Sequence, residues 1–285
     1  MPSAHGPRPE PEIQRMCKWL HANAELQCDF AEATLLPIVR KLGSPDGPPA
    51  TEAGLTLRVI AWLQTVKVLD HPRHLQAMAV AARALLELAV DIELLANDPA
   101  SEAKVRLWEE SAKLKHAECS ARHVRRDGGD QRLDELLGIW DGAIAERGPN
   151  IRRQREAAWG RDRHPDRWTG RGLLDDCREV DRILGLTDDE RFEEVYEMNV
   201  RPLHWQVHGS GLTIYRHPSP LAVLNVVAMS LALVNKLGEC AVRAAFRALR
   251  LSFAQSAFEE MAGRSNEIHT ALGLGGSEEP QDGGA

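Results

Sequence analysis

Residues Leu75–Leu95 read LQAMAVAARALLELAVDIELL. The stretch is too long for a strand, shows no period-two alternation, and carries apolar residues around most of a helical circumference. Ala222–Leu249 has the same character, opened by Ser219 and Pro220, which suit a helix start. These two segments are expected at the centre of the fold. Outward from them the pattern stays helical. Ile13–Leu42 places Met16, Trp19, Leu20, Phe30, Ala33 and Leu36 at helical spacing, with Pro37 kinking or dividing it. Leu55–Leu69 is a second apolar helix. Asp98 can cap a polar helix through Trp108 to about Arg126, and Gln131–Glu146 is followed by a Gly148–Pro149 break. Gly170–Leu184 ends at Gly185, Thr187 caps a short acidic-first helix, and Gln255–Leu272 is the last.

No hairpin dipeptide lies between β-branched runs and no repeat recurs at a fixed period. The expected fold is therefore all-α, a single helical bundle over residues 13–272, with a disordered leader at 1–12 and a disordered tail at 273–285.

The chain has 285 residues, 43% of them hydrophobic and 27% charged, and a formal net charge of −7. That composition describes a globular protein and not a general polyanion binder. No unbroken apolar run reaches the roughly 18 residues a spanning helix needs, and the leader has no signal-peptide core, so a cytoplasmic protein without membrane contact is expected. Cys17, Cys28, Cys119, Cys177 and Cys240 are widely spaced and form no C-x-x-C pair, so each is read as a small, buried, unreactive thiol. Walker, dinucleotide and nucleophile-elbow motifs are absent from the sequence, which sets aside the corresponding chemistries.

The segment Arg201-Pro-Leu-His204-Trp-Gln-Val-His208-Gly-Ser carries the densest chemistry. In a helix, offsets of three and seven residues at about 100° each put Arg201, His204 and His208 on one face. Proline suits a first helical turn, so a helix restarting at Pro202 after one that ends near Val200 is compatible with it. Three readings of that face stay open. One is a solvated amphipathic face, with Arg201 paired to Glu197. Another is metal ligation by His204 and His208 at i and i+4, although helical carboxylate sites use Glu-x-x-His pairs, and the chain has none. The last is acid–base work at a phosphodiester, an imidazole moving the proton and a guanidinium holding the charge.

Three other polar or charged features bear on the reading. Arg83, Glu87 and Asp91 sit at i, i+4 and i+8 within the apolar Leu75–Leu95 stretch, either as an internal ion pair or lining a polar cleft. Asn225, Asn235, Glu239 and Arg243 interrupt the other apolar helix and read as a hydrogen-bonded seam. Arg147–Arg171 holds eight Arg against three acids. Arg152, Arg153 and Arg155 within it are candidates for RNA backbone contact, against the alternative of a solvated loop.

Arg83-Ala-Leu-Leu-Glu87, then Trp168-Thr-Gly170 opening a helix, then Arg201-Pro-Leu-His204-Trp-Gln-Val-His208-Gly-Ser, resembles a bacterial family of all-helical domains of unknown function related to the HEPN superfamily. The likeness covers about Leu55–Leu249. It implies a HEPN-like core with additional N- and C-terminal helices, and a metal-independent ribonuclease of toxin or defence type, free of cofactors. Arg201 would be the phosphate and transition-state ligand, His208 the acid–base group, and His204 an auxiliary. It also implies RNA as partner and a homodimer. Pro202 stands where the family usually has a polar residue, and His204 where a small hydroxyl residue is expected. The other function class is a noncatalytic helical binding or scaffold module.

Overall fold

The computed structural model describes residues 10–41, 50–69, 74–98, 100–127, 131–160, 165–187, 190–203, 220–252 and 254–274. The protein is an all-α bundle, and no strand occurs among the described residues. In chain order the helices are α1 (Glu10–Thr34), α2 (Leu36–Val39), α3 (Ala50–Lys67), α4 (Leu75–Asn97), α5 (Ser101–Asp127), α6 (Gln131–Trp159), α7 (Leu173–Leu184), α8 (Phe192–Val195), α9 (Pro220–Ala248) and α10 (Gln255–Ala271). They divide into two compact units, one of Met1–Ala96 with Val180–Ala285 and one of Asn97–Glu179.

In the first unit α1 packs along α9, α3 and α10, and α9 also meets α3. One apolar cluster joins Ile13 and Leu20 of α1, Leu75 and Met78 of α4, and Val227 and Leu231 of α9. α4 and α9 hold much of the remaining core, with Leu85, Leu86, Val234 and Leu237 almost wholly buried. Their wide apolar circumference is thus used as the sequence suggests. Pro37 divides the first helix as expected: α1 stops at Thr34, buried Leu35 makes the turn, and the proline falls in the first turn of α2, where no amide is needed.

α9 has the length and apolarity of a membrane-crossing helix over Leu221–Ala248, which corrects the expectation that none would. A search for an unbroken run misses it because Asn225, Ser230, Asn235 and Lys236 interrupt the stretch. Between α1 and α9, the Gln27 Nε2 donates to the Asn235 carbonyl at 3.1 Å, and the Asn235 Nδ2 donates to the Leu20 carbonyl at 2.8 Å. Asn235 therefore belongs to a true seam, whereas Asn225 donates within its own helix, to the Leu221 carbonyl. Gly238 lets the two helices approach, because a Cβ there would lie 2.7 Å from Gln27 Oε1 and 3.0 Å from Leu63 Cδ2. Gly238→Ala is expected to cost about 1–3 kcal/mol, the usual penalty of overpacking. A thermal melt that does not fall would refute this.

In the second unit α5 and α6 form an antiparallel hairpin, tied by Arg125 to Asp141 at 2.5 Å and Arg152 to Glu118 at 2.6 Å. Asp98 caps α5 as expected, accepting from the Ala100 amide at 2.9 Å and the Ser101 hydroxyl at 3.0 Å. α6 does not stop at Gly148–Pro149 but continues to Trp159, with the proline inside it. Proline forfeits one helical hydrogen bond. The helix persists because buried Ile151 and the Arg152–Glu118 pair hold its second half against α5.

Two further expectations are corrected. α7 begins at Leu173, not Gly170, although it does end at Gly185, where φ is +63° and the Leu186 amide donates to the Asp181 carbonyl. Residues 188–189 lie outside the described residues, and at Thr187 the structure shows only a 3-10 turn, the Glu190 amide donating to the Thr187 carbonyl at 3.3 Å. α8 starts at Phe192, and its cap comes from α7, since the Asp181 carboxylate accepts the Phe192 amide at 2.7 Å and the Glu193 amide at 3.0 Å.

Candidate functional site

Arg201 is reached through an unusual stretch of backbone. After α8 the chain makes a π turn over Tyr196–Val200, and the Arg201 amide donates five residues back to the Tyr196 carbonyl. The chain stays helical through residues 201–203 instead of ending near Val200. Pro202 has no amide, and the wider turn relieves the contact its ring would make with the preceding turn. Val200 is fully buried and anchors the turn, while Arg201 faces solvent.

The Arg201 Nη1 donates to both oxygens of Glu197, at 2.7 and 2.9 Å. That hydrogen bond and charge raise the guanidinium pKa above its ordinary value. The Nε and Nη2 of Arg201 carry no hydrogen bond among the described residues. His204 and His208 lie outside the described residues, so the three-residue face is not on view.

Arg83, Glu87 and Asp91 do not form a buried stripe. All three are half-exposed, and the Arg83 Nε donates to Glu87 at 2.7 Å, the internal pair that the sequence offered as one reading. The fully buried charge of α4 is Glu93, at 0% exposure, bonded to Arg247 of α9 through Nε at 2.9 Å and also through Nη2. Sequence reasoning missed it because a carboxylate in an apolar run does not announce which side of the helix is dry.

Arg152 and Arg153 are exposed and Arg155 is half-buried. Arg152 is held by Glu118 and lies against Gly148, Arg153 donates to Asn150 at 2.9 Å, and the buried Arg155 Nε has no acceptor among the described residues. Much of the Arg-rich stretch is helical and not loop.

Its far end converges on Asp176, a carboxylate at 0% exposure. Arg167 Nε donates to it at 2.7 Å, Thr169 Oγ1 at 2.8 Å and Arg171 Nε at 2.8 Å. Gly170, with φ +76°, sits so close to the Trp159 ring that a Cβ would meet it at 2.7 Å. Trp168-Thr-Gly170 thus belongs to a knot that leads into α7. The signal for it was two arginines spaced across a Thr-Gly turn just before a helix that opens with Asp175 and Asp176.

Among the described residues, no group of three or more His, Cys, Asp and Glu is placed to hold a metal. Cys28 and Cys177 are buried as expected, but Cys119 is exposed, and Cys17 and Cys240 are half-buried. Burial pushes the Cys28 and Cys240 thiols up to about 11.

No family model matches the chain, and neither does any curated protein or solved structure.

Proposed function

We propose that the protein is a HEPN-like endoribonuclease that works without a metal, with Arg201 gripping the scissile phosphate and His208 moving the proton. The observation that carries this reading is the guanidinium of Arg201. It is exposed and held by Glu197 through Nη1 alone, which leaves the Nε and Nη2 edge without a hydrogen bond among the described residues. That edge has the fork geometry that matches two phosphate oxygens. A guanidinium tethered from behind loses less freedom when it binds.

The reaction this arrangement suits begins with the substrate's own 2′-hydroxyl, which gives up its proton to a base. Its oxygen forms a new bond to phosphorus while the bond from phosphorus to the 5′-oxygen breaks. The departing oxygen takes a proton, and a 2′,3′-cyclic phosphate remains. An imidazole with an unperturbed pKa near 6.5 suits such transfers at neutral pH. His204 is proposed as an auxiliary on the same face. Two copies are proposed to bring their Arg–His faces together in a C₂ dimer.

A noncatalytic helical binding module is the second reading, and one observation favours it: Glu197 neutralises Arg201, both carboxylate oxygens accepting from Nη1. The purified protein on mixed RNA in EDTA, run beside Arg201→Ala and His208→Ala, separates the two. Cleavage lost in both variants supports the enzyme. Binding without cleavage supports the module.

For the Arg-rich stretch, replacing Arg152, Arg153 and Arg155 with Ala is expected to lower the slope of log K against log salt for RNA binding. Each lost phosphate contact is worth roughly 0.7 on single strands. Because Arg152 is already paired and Arg155 partly buried, a drop of about one contact, mostly from Arg153, is expected. An unchanged slope would remove this stretch from the RNA path.

A further inference from the structure

The α5–α6 hairpin of the second unit holds an open cleft of about 400 Å³. Leu114 of α5 and Ile151 of α6 give it an apolar floor, each only 8% exposed. Four charges of both signs line the same space: Glu110 and Lys113 from α5, Glu146 and Arg147 from α6.

All four are exposed, and none makes a hydrogen bond or ion pair with another described residue. Glu110 and Lys113 stand three residues apart on one helix and still do not pair. Elsewhere on the hairpin opposite charges do meet, Arg125 at Asp141 and Arg152 at Glu118. The formal charge of the lining is zero, so it favours neither a polyanion nor a simple cation. A ligand that gains from both signs must carry both. The volume falls within the range of about 300–1,000 Å³ typical of small-molecule sites.

We infer that this cleft binds a zwitterionic α-amino acid with an apolar side chain. Its carboxylate lies at Lys113 and Arg147, its ammonium at Glu110 and Glu146, and its side chain over Leu114 and Ile151. A carboxylate offers two oxygens and an ammonium three donors, so each end can engage two of these side chains. Hydrogen bonds between charged groups are the stronger kind, and the apolar floor adds burial of the ligand's own side chain. The cleft belongs to the second unit and Arg201 to the first, so the inference does not rest on the RNA-cleavage reading.

Calorimetry of the full chain at low salt tests this with three probes: leucine, 4-methylpentanoate and isopentylamine. The last two keep the leucine body with only its anionic or only its cationic end. Leucine is expected to bind about tenfold more tightly than either. The double variant Lys113→Gln, Arg147→Gln is expected to weaken leucine about tenfold and leave isopentylamine unchanged. Glu110→Gln with Glu146→Gln should weaken leucine equally and leave 4-methylpentanoate unchanged. Lys18→Gln, exposed on α1 in the first unit, should alter none of the three. Because the four cleft side chains are exposed and make no bond among the described residues, both double variants should keep the parent melting temperature. Three results would overturn the inference: no heat from millimolar leucine, either half-ligand binding as tightly as leucine, or leucine affinity unchanged in both double variants.

Discussion

Arg201→Ala is expected to slow RNA cleavage about 10²–10³-fold, the usual cost of removing one donor aimed at developing charge. The melting temperature should not move. The side chain is exposed and its only hydrogen-bond partner among the described residues is Glu197, one turn away on the same helical stretch. Exposed pairs of that kind contribute little to stability. A loss of rate without a loss of stability therefore assigns Arg201 to the chemistry. Arg201→Lys should not rescue, because an ammonium on the same stem cannot present two parallel donors to a phosphate. His208→Ala should cost about 10²–10⁴-fold if it removes the proton carrier. A single-turnover assay at fixed RNA reads all three variants. Cleavage that survives both alanine variants would place the catalytic groups elsewhere.

The second large effect is on stability. Asp176→Ala is expected to cost about 3–5 kcal/mol, the range for breaking a buried ion pair from one side. Asp176 is at 0% exposure, and Arg167, only 12% exposed, would be left buried without its carboxylate. Arg171 is 44% exposed and can turn to water, so most of the loss comes from Arg167 and Thr169. Asp176→Asn should lose less, since an amide oxygen still accepts one of the three bonds. Urea unfolding followed by circular dichroism gives the difference. A midpoint unchanged in Asp176→Ala would mean that the knot contributes nothing to the second unit.

The sequence made the helices legible where burial and period agree. Leu75–Leu95 and Ala222–Leu249 are apolar around much of their circumference, and both became the core helices α4 and α9. Asp98 could be read as a cap because its partners, Ala100 and Ser101, are next to it in sequence. The Asp181 cap on α8 could not, since donor and acceptor are eleven residues apart across a turn. Gly148–Pro149 is a local breaker that the sequence shows at the point where α6 continues, while the packing against α5 that overrides it is tertiary.

Charge was harder to read than apolarity. The regular spacing of Arg83, Glu87 and Asp91 drew attention to a half-exposed face, whereas Glu93 and Asp176, the buried carboxylates that hold arginines, sit in no pattern. Burial of a charge depends on which neighbour arrives from elsewhere in the chain, here Arg247 for Glu93. Arg201 was legible as a candidate because of its spacing from His204 and His208. Its pairing with Glu197 was also legible, at i and i+4 on a helix. The π turn beneath it was not, since nothing in Tyr196–Val200 distinguishes five-residue from four-residue bonding until Pro202 is placed.

The most direct test of RNA cleavage by the chain's own side chains is the rate, in EDTA, on an RNA oligomer beside the same oligomer carrying a single 2′-deoxy nucleotide at the cut position. Cleavage of the first to a 2′,3′-cyclic phosphate, with the second intact, is the result predicted. No cleavage of either, or equal cleavage of both, would contradict it.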